Sequence, residues 1–233
     1  MLNEKTLQEI KTNLYSKVKN AGWGPLFVNL IMTEDFDIIL YKLAAEAESG
    51  KRFTPKIKNL FRAFEECSYD NTNVVVIGMD PYPKINVADG IAFSCSNLGK
   101  IERSLDVMYK SIQETTGITC TNSDLKPWAN QGMLLLNSAF TVSIGKPGTH
   151  LDIWKPWMIY ILEYLTNRRK DLIFVLLGKV AMSFAEYIPE DNYIIQASHP
   201  ASVAYSGGYW DCNDLWNKIN NKLQEHGKEK ITF

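Results

Sequence analysis

Three polar residues in this chain lie at or within a few positions of the ends of apolar runs, and their types are those that move protons or stabilise charge. Asp80 lies in Gly78-Met79-Asp80-Pro81-Tyr82-Pro83, after Val74-Val75-Val76-Ile77. Asn137 closes Met133-Leu134-Leu135-Leu136, and His199 lies in Gln196-Ala197-Ser198-His199-Pro200, after Tyr193-Ile194-Ile195. A fourth run, Leu172-Ile173-Phe174-Val175-Leu176-Leu177, ends in Gly178-Lys179. A carboxylate, an amide and an imidazole brought together are equipment for acid–base or charge-stabilising chemistry. Singly, each has a plainer account. Asp80 before a proline initiates a turn, and Asn137 suits an Asx turn. His199 fits a satisfied structural histidine, and Phe93 a core residue. His150 and His226 carry little information alone, and His226 reads as part of a solvated tail.

The elements that must position these residues are legible from periodicity. The four apolar runs are short and rich in β-branched or aliphatic residues, as expected of strands buried on both faces. Helical spacing recurs at Leu7, Ile10, Leu14 and Val18, and again through Phe36, Ile39, Leu40, Leu43 and Ala44 before Gly50. Leu105, Met108, Tyr109 and Ile112 follow Ser104, a candidate N-cap. Further stripes run through Trp157, Ile161, Leu162 and Leu165, and through Leu215, Ile219 and Leu223. Strands alternating with amphipathic helices predict an α/β fold, three-layer α/β/α, with a central, mainly parallel four-stranded sheet. In such sheets ligands bind outside the carboxyl ends of the strands. The acid, the amide, the Gly-Lys step and the imidazole are therefore expected on one edge, as a catalytic site of unspecified reaction.

Bulk properties narrow the class. The 233 residues suit one domain spanning 1–233, with no repeat or linker to divide them. Hydrophobic content of 45% and charged content of 22% are ordinary for a globular protein. No apolar run spans a bilayer and the N-terminus lacks a signal-peptide core, so a cytoplasmic enzyme without membrane association is expected. Cys67, Cys95, Cys120 and Cys212 are widely spaced reduced thiols, and no metal site is expected. A net charge of −1 leaves any polyanion partner to be recognised by local charge.

Read in order, the segments resemble the family-1 uracil-DNA glycosylases over nearly the whole chain. That family's Gly-Gln-Asp-Pro-Tyr-His motif, leading to Gly-Leu-x-Phe-Ser, is similar to Gly78–Pro83 leading without a gap to Gly90-Ile91-Ala92-Phe93-Ser94. Its Leu-Leu-Leu-Asn is matched by Leu134–Asn137, and its His-Pro-Ser-Pro-Leu-Ser by His199-Pro200-Ala201-Ser202-Val203-Ala204. The resemblance implies hydrolysis of the N-glycosidic bond of deoxyuridine, flipped out of single- or double-stranded DNA, to begin base excision repair. It implies Asp80 and His199 as catalytic groups: the first supports the sugar cation and the attacking water, the second donates to uracil O2. Phe93 would stack on uracil, Asn137 pair with its O4 and N3–H, and Tyr82 exclude thymine's methyl group. Backbone N–H groups at Met79 and Asp80 would share the developing charge. Ser104, Lys179, Ala201 and Val203 would meet the DNA, with Val203 as the wedge. The family needs no cofactor, and a monomer with possible replication or repair partners is expected.

The chain departs from the family pattern at definite places. Met79 replaces a glutamine, Pro83 a histidine that helps hold the catalytic water, and Val203 a leucine. Asn97–Arg103 replaces a proline-rich loop, and Gly178-Lys179 a Gly-Ser step. Lys84, Lys100, Arg103, Lys146 and Lys179 fall in loops expected on the strand-end side, with Asp89, Asp152 and Asp211 as possible counter-charges. The changes at Pro83 and Val203 motivate an alternative: a catalytically weak DNA-binding accessory protein of a replication complex. A third reading is a glycosylase for other lesions, against which Tyr82 argues.

Overall fold

A run of four β-branched residues has nothing to offer water on either face, and Val74–Gly78 is buried at every position. This strand lies inside a computed structural model that describes residues 2–233. In chain order, α1 (Glu4–Val18), α2 (Gly24–Ile31) and α3 (Glu34–Glu48) lead to a short strand β1 (Phe53–Thr54) and α4 (Arg62–Glu66). Next come β2 (Val74–Gly78), α5 (Arg103–Thr116), α6 (Lys126–Asn130), β3 (Met133–Asn137), β4 (Val142–Ser143) and α7 (Leu151–Thr166). The chain ends with β5 (Ile173–Leu177), α8 (Lys179–Met182), β6 (Tyr193–Ala197), α9 (Ala201–Ala204) and α10 (Leu215–Glu225).

The main sheet has the order β3-β2-β5-β6, and all three pairings are parallel. β2 and β5 are buried throughout, which requires helices on both faces and gives the three-layer arrangement. From β2 the chain first moves to β3 on one side and then to β5 on the other. That reversal opens a crevice at the carboxyl ends of the strands. The remaining pair, β1 with β4, is antiparallel and ties the segment after α3 to the loop after β3.

The helices expected from periodicity form close to their stripes, with two differences. Ser104 is not a cap: α5 begins at Arg103 with Glu102 as N-cap, and Ser104 is buried in the first turn. Glu102 instead receives Lys84 Nζ at 2.5 Å. The C-terminal segment is not simply solvated. Phe233 packs edge-on against Trp128 and Trp216 at 5.5 and 5.1 Å, and Ile231 is buried with its N–H on Asn220 Oδ1. His226 is half-buried, its Nδ1 3.0 Å from the Asp171 carbonyl. Helix α2, not expected from the sequence, is short and mostly apolar and buries Leu26, Phe27, Leu30 and Ile31. All four thiols are free, with Cys67, Cys95 and Cys212 buried.

Candidate active site

Parallel pairing puts the ends of β2, β3, β5 and β6 on one side, and each delivers the residue that follows it. Gly78 is paired with Asn137, so the segments after β2 and β3 leave the sheet together. The Ser138 N–H and hydroxyl both donate to Gly78 O, and Ala139 N–H donates to Met79 O at 3.1 Å. These bonds hold the backbone that carries Asp80. Gly78 is required here for space. A Cβ at that position would lie 3.0 Å from both Asn137 Oδ1 and the Phe93 ring, tighter than side chains normally pack.

The result is a cleft of about 470 Å³, within the usual range for small-molecule sites. Asp80, Tyr82, Phe93, Asn137 and His199 all line it, together with Met79. Phe93 adopts φ +64°, a left-handed conformation that costs a non-glycine residue energy and is characteristic of functional sites. Tyr82 Oη donates to Phe93 O at 3.0 Å and so braces that backbone. Burial holds the Tyr82 phenol well above its ordinary range, so it stays protonated. The Phe93 and His199 rings lie 5.5 Å apart.

Asp80 is half-buried. Burial pushes its carboxyl up from the usual carboxylate value, while the Gly148 N–H and nearby His150 act in the opposite direction. Gly148 N–H donates to Asp80 Oδ2 at 2.6 Å. The loop that supplies this donor is braced from behind. His150 Nε2 lies 2.8 Å from Glu46 Oε2 of α3, and its Nδ1 lies 2.8 Å from Thr141 Oγ1, which also accepts from Trp154 Nε1.

His199 has its pKa lowered to about 4 by burial, so it is neutral at pH 7. Its Nδ1 accepts from Ala201 N–H at 3.1 Å, so the ring proton sits on Nε2 as a donor. Among the described residues nothing accepts from the Met79 or Asp80 N–H, and nothing pairs with the Asn137 amide, which opens onto the cleft. A flat apolar ring, a free amide, a neutral imidazole donor, free backbone donors and one carboxylate thus converge. That set can grip a planar heterocycle by its edge and support charge separation beside it.

The residues expected to meet DNA are less uniform. Ser104 and Ala201 line the cleft. Lys179 is exposed at the start of α8 but does not line it, and Val203 is half-buried, packed against the core. Tyr205, not singled out in the sequence, lines the mouth instead; it is 65% exposed, with the Arg103 guanidinium 5.1 Å from its ring centre. Of the basic loop residues, Lys84 is neutralised by Glu102, whereas Lys100, Lys146 and Lys179 are exposed without an ion pair among the described residues. Asp89 is no surface counter-charge: it is buried and bonded to Arg62 at 2.9 Å.

Fold and cleft together define an α/β enzyme whose strand ends carry a concave site bearing a carboxylate, an amide and an imidazole. The model of the uracil DNA glycosylase superfamily matches residues 64–224, and the chain belongs to that superfamily. It is 35% identical to the uracil-DNA glycosylase of Clostridioides difficile over 86% of this chain and 90% of that one. It is 33% identical to that of Amoebophilus asiaticus, over 91% and 97% respectively. The crystal structure of mimivirus uracil-DNA glycosylase superposes with a TM-score of 0.79 at 28% identity, covering 90% of this chain and 84% of that chain.

Proposed function

We propose that this chain is a uracil-DNA glycosylase, hydrolysing the bond between uracil N1 and the deoxyribose C1′ in DNA. The observation that carries the assignment is the unpaired Asn137 amide beside Phe93. Held with Oδ1 toward N3–H and Nδ2 toward O4, this amide matches uracil, and in that orientation it meets cytosine's N3 acceptor and N4 donor with like groups. Phe93 stacks on the ring, and Tyr82 occupies the space beside C5.

As the C1′–N1 bond breaks, the electron pair leaves with uracil and a cation develops on the sugar. His199 Nε2–H donates to uracil O2, and the N–H groups of Met79 and Asp80 add to the stabilisation; one such donor is worth about 3 kcal/mol in other enzymes. Ionised Asp80 stabilises the sugar cation and takes the proton from the water that attacks C1′. Pro83 offers no side-chain bond to that water. Gly148 helps fix the carboxylate, so orientation is supplied from the opposite loop. Ser104, Ala201 and Lys179 contact the DNA backbone around the cleft.

The test is incubation with uracil-containing single- and double-stranded oligonucleotides, followed by alkali. Cleavage at the uracil is expected on both. Absence of cleavage at high enzyme concentration overturns the reading, and binding without excision supports an accessory protein instead.

Because Val203 packs inward, the side chain that fills the gap left by the flipped nucleotide is Tyr205. An aromatic ring stacked on a base contributes about 1–3 kcal/mol. Tyr205→Ala should therefore lower kcat/KM on duplex substrate roughly tenfold or more, with a much smaller loss on single strands, where less unstacking is needed. An unchanged duplex-to-single-strand ratio for Tyr205→Ala, with a lowered ratio for Val203→Ala, would return the wedge to Val203.

A further inference from the structure

The loops that wall the cleft have a second face. Pro83 and Pro147 line the cleft, whereas Ile85, Asn86 and Ile144, close by on the same loops, line a separate groove of about 500 Å³. Gly145 N–H donates to Pro83 O at 2.8 Å, so the two loops form one shared wall. Lys51, Arg52, Lys56 and Lys58 line the groove too, all exposed, with Ile144 N–H donating to Arg52 O at 2.7 Å. No acidic side chain lines it, and none of the four cations is ion-paired among the described residues. Several other lysines find carboxylates, among them Lys11 with Asp37, Lys17 with Glu65 and Lys126 with Glu66, whereas Lys100, Lys146 and Lys179 stand singly among the described residues. Four unpaired cations in one groove of a chain whose net charge is −1 mark a local anion site.

The floor narrows the kind of anion. Phe53, Ile85 and Ile144 supply apolar surface, with Ile85 52% exposed, and Asn59, Asn86 and Asn97 supply amides. Cations, an apolar floor and amides in one groove suit a strand whose bases are unpaired and turned inward. A duplex would keep its bases away from that floor. We propose that this groove binds the single-stranded DNA flanking the uracil nucleotide, continuous with the catalytic cleft across the shared wall. The proposal rests on the uracil-DNA glycosylase reading for the nucleotide in the cleft, and extends the contact surface to residues 51–58.

The test uses the full chain carrying Lys51→Gln, Lys56→Gln and Lys58→Gln, all surface changes, with thermal unfolding to establish that the fold is kept. Fluorescence anisotropy of a uracil-free 20-nucleotide single strand is measured against salt. Uracil release is measured on a trinucleotide and on a 20-nucleotide strand. Each lost phosphate contact should lower the salt slope by about 0.7, and the three together should weaken 20-mer binding at least about tenfold at moderate salt. KM on the long strand should rise in parallel, with kcat unchanged and trinucleotide kinetics within about twofold of wild type. Equal losses on both lengths, or unchanged 20-mer binding, would overturn the groove. Should the triple variant misfold, Lys56→Glu alone is read the same way, with a proportionately smaller loss. If the unaltered chain released no uracil from either substrate, the glycosylase reading would fail while the anisotropy comparison still decided the groove.

Discussion

Replacing Asp80 with asparagine should lower kcat for uracil release by about 10³-fold, within the range assigned to positioned acid–base groups. Binding of uracil-containing DNA should be largely retained. Asparagine keeps the shape and can still accept the Gly148 N–H now held at 2.6 Å, so the loss isolates the charge. The effect should be large because Pro83 cannot share the work of holding water. Single-turnover kinetics with parallel binding measurements decide it, and a rate within tenfold of wild type would remove Asp80 from the mechanism.

The pH profile supplies a second reading of the same prediction. Burial raises the Asp80 carboxyl, so activity should fall as pH drops through a value above the ordinary carboxylate range. His199, with a pKa of about 4, is neutral throughout the neutral range and should add no inflection between 6 and 7. A limb near 6.5 that disappears in His199→Gln would contradict the neutral-donor role.

Asp89→Ala should destabilise the fold by about 3 kcal/mol, at the lower end of what breaking a buried ion pair costs. Asp89 is 1% exposed and accepts from Arg62, from the Ser94 and Ser96 hydroxyls at 2.6 Å each, and from the Ser96 and Ile91 N–H groups. Truncation strands these donors, although Arg62 keeps Asp124. The same bonds shape the loop that holds Phe93 in its left-handed conformation, so uracil excision should weaken as well. A urea midpoint equivalent to a loss under about 0.5 kcal/mol would show the network to be dispensable.

The strand ends were legible because apolar runs announce buried strands locally, and a residue that follows one is placed by topology. Topology places Asp80, Asn137 and His199 on one cleft in that way, whereas Phe93 is signalled only through its motif. What escaped depends on pairs remote in sequence. Gly148 meets Asp80 across 68 positions, and Glu46 meets His150 across 104, so neither glycine nor histidine signals its partner. Val203 is half-buried against the core while Tyr205, two residues on, is exposed at the cleft mouth. No periodicity resolves the facing of one turn. The unpaired cations at 51–58 likewise look like ordinary surface until the loops at 85 and 144 close a groove around them.

The close approach of Asn137 and Phe93 to Gly78 limits how this lineage can change. A Cβ at 78 would press on Asn137 Oδ1 and on the Phe93 ring at 3.0 Å, so both would have to give by a few tenths of an ångström together. Neighbours that face the adjoining loops escape that double constraint. Met79, which reaches toward Gly148, and Pro83, whose carbonyl rests on Gly145, are such neighbours, and they are where this chain has diverged from the motif it resembles.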